Sequence, residues 1–175
     1  MLCKLEWIQK ISHSHSTFQV RKQNVPELLP CTSDLITFRT YLKREQKSFT
    51  GQLGLHANYT IWNQLAIVTL ANIVFFNKCK SGETSTLHVE VFQSSQMVPC
   101  WSASIYITPL QLELCKQLTL IHTPGKFRRT VTILMHASDV RAIELLIKHR
   151  FVVGVGANNP HVLARVLRKS NEHLR

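Results

Sequence analysis

The chain has 175 residues, enough for one domain of ordinary size, and its hydrophobic fraction of 45% excludes wholesale disorder. Lysine and arginine total 21 against 10 aspartates and glutamates, a formal net charge of +11. An excess of this size calls for a polyanionic partner, either nucleic acid or an acidic membrane surface.

Residues 1–31 read as a lead-in segment and linker. Lys4, Glu6 and Lys10 interrupt the first ten residues, so no secretory h-region forms and the expected location is nuclear or cytoplasmic, not secreted. Without such a signal the sequon Asn58-Tyr59-Thr60 carries no weight. His13-Ser14-His15-Ser16 is a polar break whose two histidines read as loop, not as a metal pair, and Pro26 and Pro30 bracket a short extended piece. The five cysteines, Cys3, Cys31, Cys79, Cys100 and Cys115, are widely spaced with no CxxC pair. Neither a disulfide framework nor a zinc site is expected, and no metal or small-molecule cofactor is called for.

Thr32 and Ser33 suit a helix N-cap, with Asp34 at the positive end of the dipole. Leu35, Phe38, Leu42 and Phe49 then recur at helical spacing, with Arg39, Lys43, Arg44 and Lys47 between them, so an amphipathic helix is expected to end near Gly51. Gly51–Asn58 reads as loop and Thr60 as the cap of an apolar helix over Ile61–Asn77. The dense run Leu65–Phe76 is only 12 residues long and contains Thr69 and Asn72, which argues for a core helix over a membrane span. Lys78–Glu83 is a polar turn, Glu83–Leu87 an added helical turn, His88–Phe92 a short strand by alternation, and Ser94–Ala103 a loop. Pro109 opens a helix through Leu110, Leu114 and Leu118.

Leu118–Ile121 and Arg129–Leu134 are β-prone runs flanking Thr123-Pro124-Gly125-Lys126, a hairpin with a basic tip. Ser138 is placed to cap a helix with Val140, Ile143, Ile147 and Phe151 on its core face. Gly154 and Gly156 end that element, and Val162–Leu167 starts a last helix after Pro160. From Ile121 to Arg175 ten basic residues face three acidic ones, so the C-terminal third carries most of the field. The fold class expected is α+β, mainly helical with a small antiparallel β-sheet.

Two turns gather the cations: Phe76-Asn77-Lys78-Cys79-Lys80-Ser81-Gly82-Glu83 and Gly125-Lys126-Phe127-Arg128-Arg129, the latter running into Val131-Thr132-Ile133-Leu134. In this order they resemble the first catalytic half of the tyrosine recombinase (phage integrase) family, in its Crypton-like, transposon-derived form. There a buried apolar helix ends in an R-x-G-E turn whose Arg grips the scissile phosphate, and a catalytic Lys sits at the tip of the following strand pair. Stretches resembling Arg21-Lys22-Gln23-Asn24 with Pro26, the Leu112–Cys115 helix and Asn159-Pro160 extend the likeness over roughly residues 20–168. The resemblance implies that 32–175 is a partial catalytic domain lacking its C-terminal half, with a role in DNA recombination or integration. It implies double-stranded DNA as partner and Lys78, Lys80, Lys126, Arg128 and Arg129 as the phosphate-facing group.

Catalysis is not expected. The family's Arg position holds Lys80, a point charge where a planar fork would pair two phosphate oxygens. His161-Val162-Leu163-Ala164-Arg165 has one residue too many for the family's H-x-x-R, and Tyr41, Tyr59 and Tyr106 all precede the hairpin, away from the nucleophile's position. The expectation is therefore an inert DNA-binding remnant. The alternatives are a fragment of an active DNA-breaking-rejoining enzyme completed by other sequence, and a co-opted scaffold that binds proteins or itself through uncovered apolar helix faces.

Overall fold

The computed structural model describes residues 30–79, 81–95, 108–109, 113–114, 117–125 and 129–165. By its contacts the chain divides into two units, Met1–Ile36 and Thr37–Arg175. In the first, the described residues hold the start of helix α1 (Thr32–Leu55). The carbonyl of Cys31, not of Thr32 or Ser33, accepts the first helical bonds, from the backbone N–H groups of Asp34 and Leu35. Asp34 Oδ2 accepts from the Cys31 N–H at 3.0 Å, so the acidic residue closes the first turn as its charge suggests.

In the second unit α1 continues past Gly51 to Leu55. Two glycines in the last turns disfavour helix, but Leu53 is fully buried, and burying a leucine outweighs the roughly 1 kcal/mol that each glycine costs. Leu42 and Gln46 are buried on the same stripe, while Leu35 and Phe38 remain 40% and 44% exposed. Helix α2 (Tyr59–Asn77) is capped by Asn58, whose side chain accepts from the Thr60 N–H at 2.7 Å, so Thr60 lies inside the first turn. At 19 residues and a mean hydropathy of 1.4, α2 is long and apolar enough to cross a membrane. In this fold its Trp62, Leu65, Ala66, Leu70 and Ile73 belong to the core.

Short helices α3 (Ser81–Ser85) and α4 (Val89–Ser95) follow. The strand expected at His88–Phe92 is absent: His88 makes a single bridge to His161 and the chain then turns helical. Val89 and Phe92 both pack on the core. Three residues apart, they share a face in a helix but would oppose each other in a strand. Pro109, Glu113, Leu114 and Gln117 have helical backbone, while Leu118 already belongs to the sheet. Most of that expected helix, and the Ser94–Ala103 loop beyond Ser95, lie outside the described residues.

Strands β1 (Leu118–Pro124) and β2 (Thr130–His136) pair antiparallel, with Leu118 opposite His136, Ile121 opposite Ile133 and Pro124 opposite Thr130. Ile121, Thr123, Ile133 and Met135 turn inward. Helix α5 (Ala137–His149) starts directly from β2. Its cap residue is His136, not Ser138, and Asp139 Oδ2 accepts from the His136 N–H at 3.2 Å. Val140, Ala142, Ile143 and Leu146 are buried and Ile147 is half-buried, whereas Phe151 is 64% exposed. The helix ends before Phe151, which therefore leaves the core-facing stripe.

The chain after α5 is held by its own backbone. Val155 N–H donates to the Arg150 carbonyl at 2.9 Å, and the buried Arg150 guanidinium donates through Nη2 to the Asn159 carbonyl. Gly154 takes a φ of 92°, a left-handed turn suited to glycine. Val162–Arg165 is not helical as far as it is described: the Val162 N–H pairs with the Leu87 carbonyl at 2.9 Å, and Val162, Leu163 and Ala164 are all buried. Three consecutive buried side chains suit an extended strap between core elements, not an amphipathic helix. The fold is thus α+β, mainly helical with a two-stranded antiparallel sheet.

Candidate functional site

Helix α2 ends at the corner between its last turn and α3. Lys78 follows Asn77 in a left-handed conformation (φ 50°, ψ 31°), costly for a residue with a Cβ and here used to turn the chain sharply. The turn is held by Asn77. Its Nδ2 donates to the Ile73 carbonyl and to the Leu134 carbonyl, both at 2.8 Å, and its Oδ1 accepts from the Leu134 N–H at 2.8 Å. One carboxamide thus saturates the main chain of β2 at Leu134 and welds the corner to the hairpin. Beside it the Phe76 ring lies 4.4 Å from the ring of His136.

At the hairpin's other end the Gly125 N–H donates to the Arg129 carbonyl at 2.6 Å and closes a five-residue tip. A Cβ on Gly125 would stand 2.5 Å from Val131 Cγ2 and 3.1 Å from the Arg129 carbonyl oxygen, so the close approach requires glycine. Arg129 is exposed at the foot of the tip and Lys78 is exposed at the corner. Lys80, Lys126 and Arg128 lie outside the described residues. The fold therefore brings two cation-bearing turns onto one clamped frame without converging Lys78 and Arg129: the clamp sits at Leu134, and the strand from Thr130 to Leu134 separates it from the tip.

Behind the corner is a buried polar cluster that sequence reasoning missed. Gln46 Nε2 donates to Asp139 Oδ1 at 2.8 Å and reaches Thr69 Oγ1 at 3.4 Å, tying α1, α2 and α5 together. Burial raises the Asp139 carboxyl above its ordinary value, against the opposing hydrogen bonds from Gln46 and from the backbone of His136 and the charges of His136 and Lys43. A lone Gln in an amphipathic stripe and an Asp in a first turn both have ordinary surface readings, and only their contact distinguishes them. Cys79, partly buried, lies 3.1 Å from Thr84 Oγ1. Among the described residues no group of three metal-ligating side chains forms. No protein-family model, curated protein or solved structure matches the chain.

Proposed function

We propose that this chain is a catalytically inert domain that binds double-stranded DNA through its phosphates and descends from a transposon-borne tyrosine recombinase. The observation that carries the reading is the Asn77 clamp, which makes one frame of the turn bearing Lys78 and Lys80 and the hairpin bearing Lys126, Arg128 and Arg129. Lys78 at the clamped corner and Arg129 at the foot of the hairpin tip are both exposed, so they can contact separate phosphates of one duplex. The net charge of +11 supports the same partner, and a nuclear location goes with it. Inertness rests on Lys80 at the family's Arg position and on three tyrosines that all precede the hairpin. The five-residue His161–Arg165 spacing adds to it, in a segment without helical backbone.

The test is a salt titration of binding to duplexes of unrelated sequence. Affinity should fall steeply with salt and little with sequence, each phosphate contact adding about −0.9 to the slope of log K against log salt. Lys78→Ala and Arg129→Ala should each flatten that slope by about one unit. Absence of binding at low salt, or a flat response to salt, rules the reading out.

A further inference from the structure

Helix α1 carries three of its cations in a line. Arg39, Lys43 and Lys47 stand one helical repeat apart, so they share one side of α1 on successive turns, and all are exposed. At 1.5 Å of rise per residue the line is about 12 Å long. Phe38 meets the Phe75 ring of α2 at 5.5 Å, so the line starts level with the last turns of α2. Past Lys47 the same flank continues through Thr50, Gly51 and Gly54, and no large side chain stands in front of it.

The carboxylates of α1 are engaged elsewhere. Asp34 accepts from the Cys31 N–H at 3.0 Å, and Glu45, on the other side of the helix, pairs with Arg44 at 3.2 Å. Among the described residues no ion pair forms with Arg39, Lys43 or Lys47. Lys43 acts on the buried Asp139 only through its charge. Like charges one helical repeat apart repel and cost helix stability, and two such pairs are stacked here. An anion laid along the line offsets that repulsion.

The backbone of a nucleic-acid duplex has the matching form. Each strand carries a phosphate about every 3.4 Å of axis, hence about three to four over the length of the line. From Arg39 to Gly54 the flank has no aromatic ring on which an unpaired base would stack. It has no apolar side chain to enter a bilayer either, and a second copy of the chain would oppose like charges.

We propose that this line is a further phosphate-contact surface for duplex nucleic acid, with Arg39, Lys43 and Lys47 following the backbone of one strand. The inference rests on the DNA-binding reading above and extends it from the corner and the hairpin to α1, where the recombinase resemblance assigns no contact.

Salt titrations on one duplex compare the full chain with three double variants. Arg39→Ala with Lys47→Ala removes the ends of the line, and Arg39→Lys with Lys47→Arg keeps its charge. Arg141→Ala with Lys148→Ala removes two exposed cations of α5 as a charge-matched control. Lys43 stays in place because Asp139 feels its charge. Thermal melting checks each fold.

The first variant should flatten the slope of log K against log salt by about two units, the second should keep it, and the control should change it by less than about half a unit. An unchanged slope in the first variant, or equal flattening by the first variant and the control, overturns the line. The corner reading survives either result if Lys78→Ala and Arg129→Ala still flatten the slope. Failure of the wild type to bind at low salt overturns both. Vesicles containing phosphatidylserine are run alongside: vesicle binding lost in the first variant with duplex binding unchanged would make this a lipid surface and refute the proposal.

Discussion

Asp139 shows how one side chain serves several elements at once. Its two oxygens accept from Gln46 on α1 and from the backbone at the start of α5, and only 3% of the residue is exposed. Because burial raises the folded carboxyl above 3.8, the folded state holds the proton over a pH range in which the unfolded chain has released it. The stabilisation tied to that proton is complete below the unfolded value and is lost as pH rises through the folded one. Asp139→Asn removes the ionisation but keeps an oxygen for the His136 N–H, and a turned Gln46 carboxamide can accept from the new amide. The variant should therefore gain stability relative to wild type in urea melts as pH rises above the ordinary carboxyl value of 3.8. A difference that stays constant with pH would show that Asp139 does not titrate differently on folding.

At the scale of elements, helix ends and strand identities were decided by burial. Gly51 read as the end of α1 because glycine breaks helices when nothing else opposes it; buried Leu53 does oppose it. Gly51 is interior to the helix, has a negative φ, and has open space where a Cβ would go. Gly51→Ala should accordingly stabilise the protein by about 0.5–1 kcal/mol, seen as a melting temperature higher by a few degrees. A fall in melting temperature would mean that the end of α1 frays in solution. The same logic turned His88–Phe92 from strand to helix, since Leu87, Val89 and Phe92 pack on one core only with a helical turn between them. The hairpin, by contrast, was legible from its two β-prone runs, but its turn was not: Thr123 and Pro124, read as turn residues, pair with Val131 and Thr130 in the sheet, and the reversal is closed between Gly125 and Arg129.

For the whole molecule, charge and exposed apolar surface pull against each other. Phe151 and Val152 are 64% and 71% exposed on a segment pinned by buried Val153 and Val155. Such a pre-ordered apolar knob favours association with a protein or with another copy, whereas a net charge of +11 opposes self-association. Salt screens the repulsion and leaves the apolar attraction, so the two effects separate experimentally. Sedimentation should find a monomer at low ionic strength and a rising average mass as salt increases, the opposite direction to DNA binding. Phe151→Ser combined with Val152→Ser should abolish that rise, and a rise unchanged in the double variant would place the association elsewhere.

The sequence by itself determined the fold class, the apolar α2, the hairpin and the sign of the electrostatic field, because these depend on local periodicity, turn chemistry and composition. It also supplied the order of cationic turns on which the proposed recombinase descent rests. The tertiary structure decided what joins those turns. Asn77 at the end of an apolar helix reads locally as a simple stop, and it becomes a clamp only when β2 brings both main-chain groups of Leu134 to its carboxamide. Hydrogen bonds between residues 57 positions apart leave no periodic trace in a sequence. They exist because burying α2, the sheet and α5 together sets the distances.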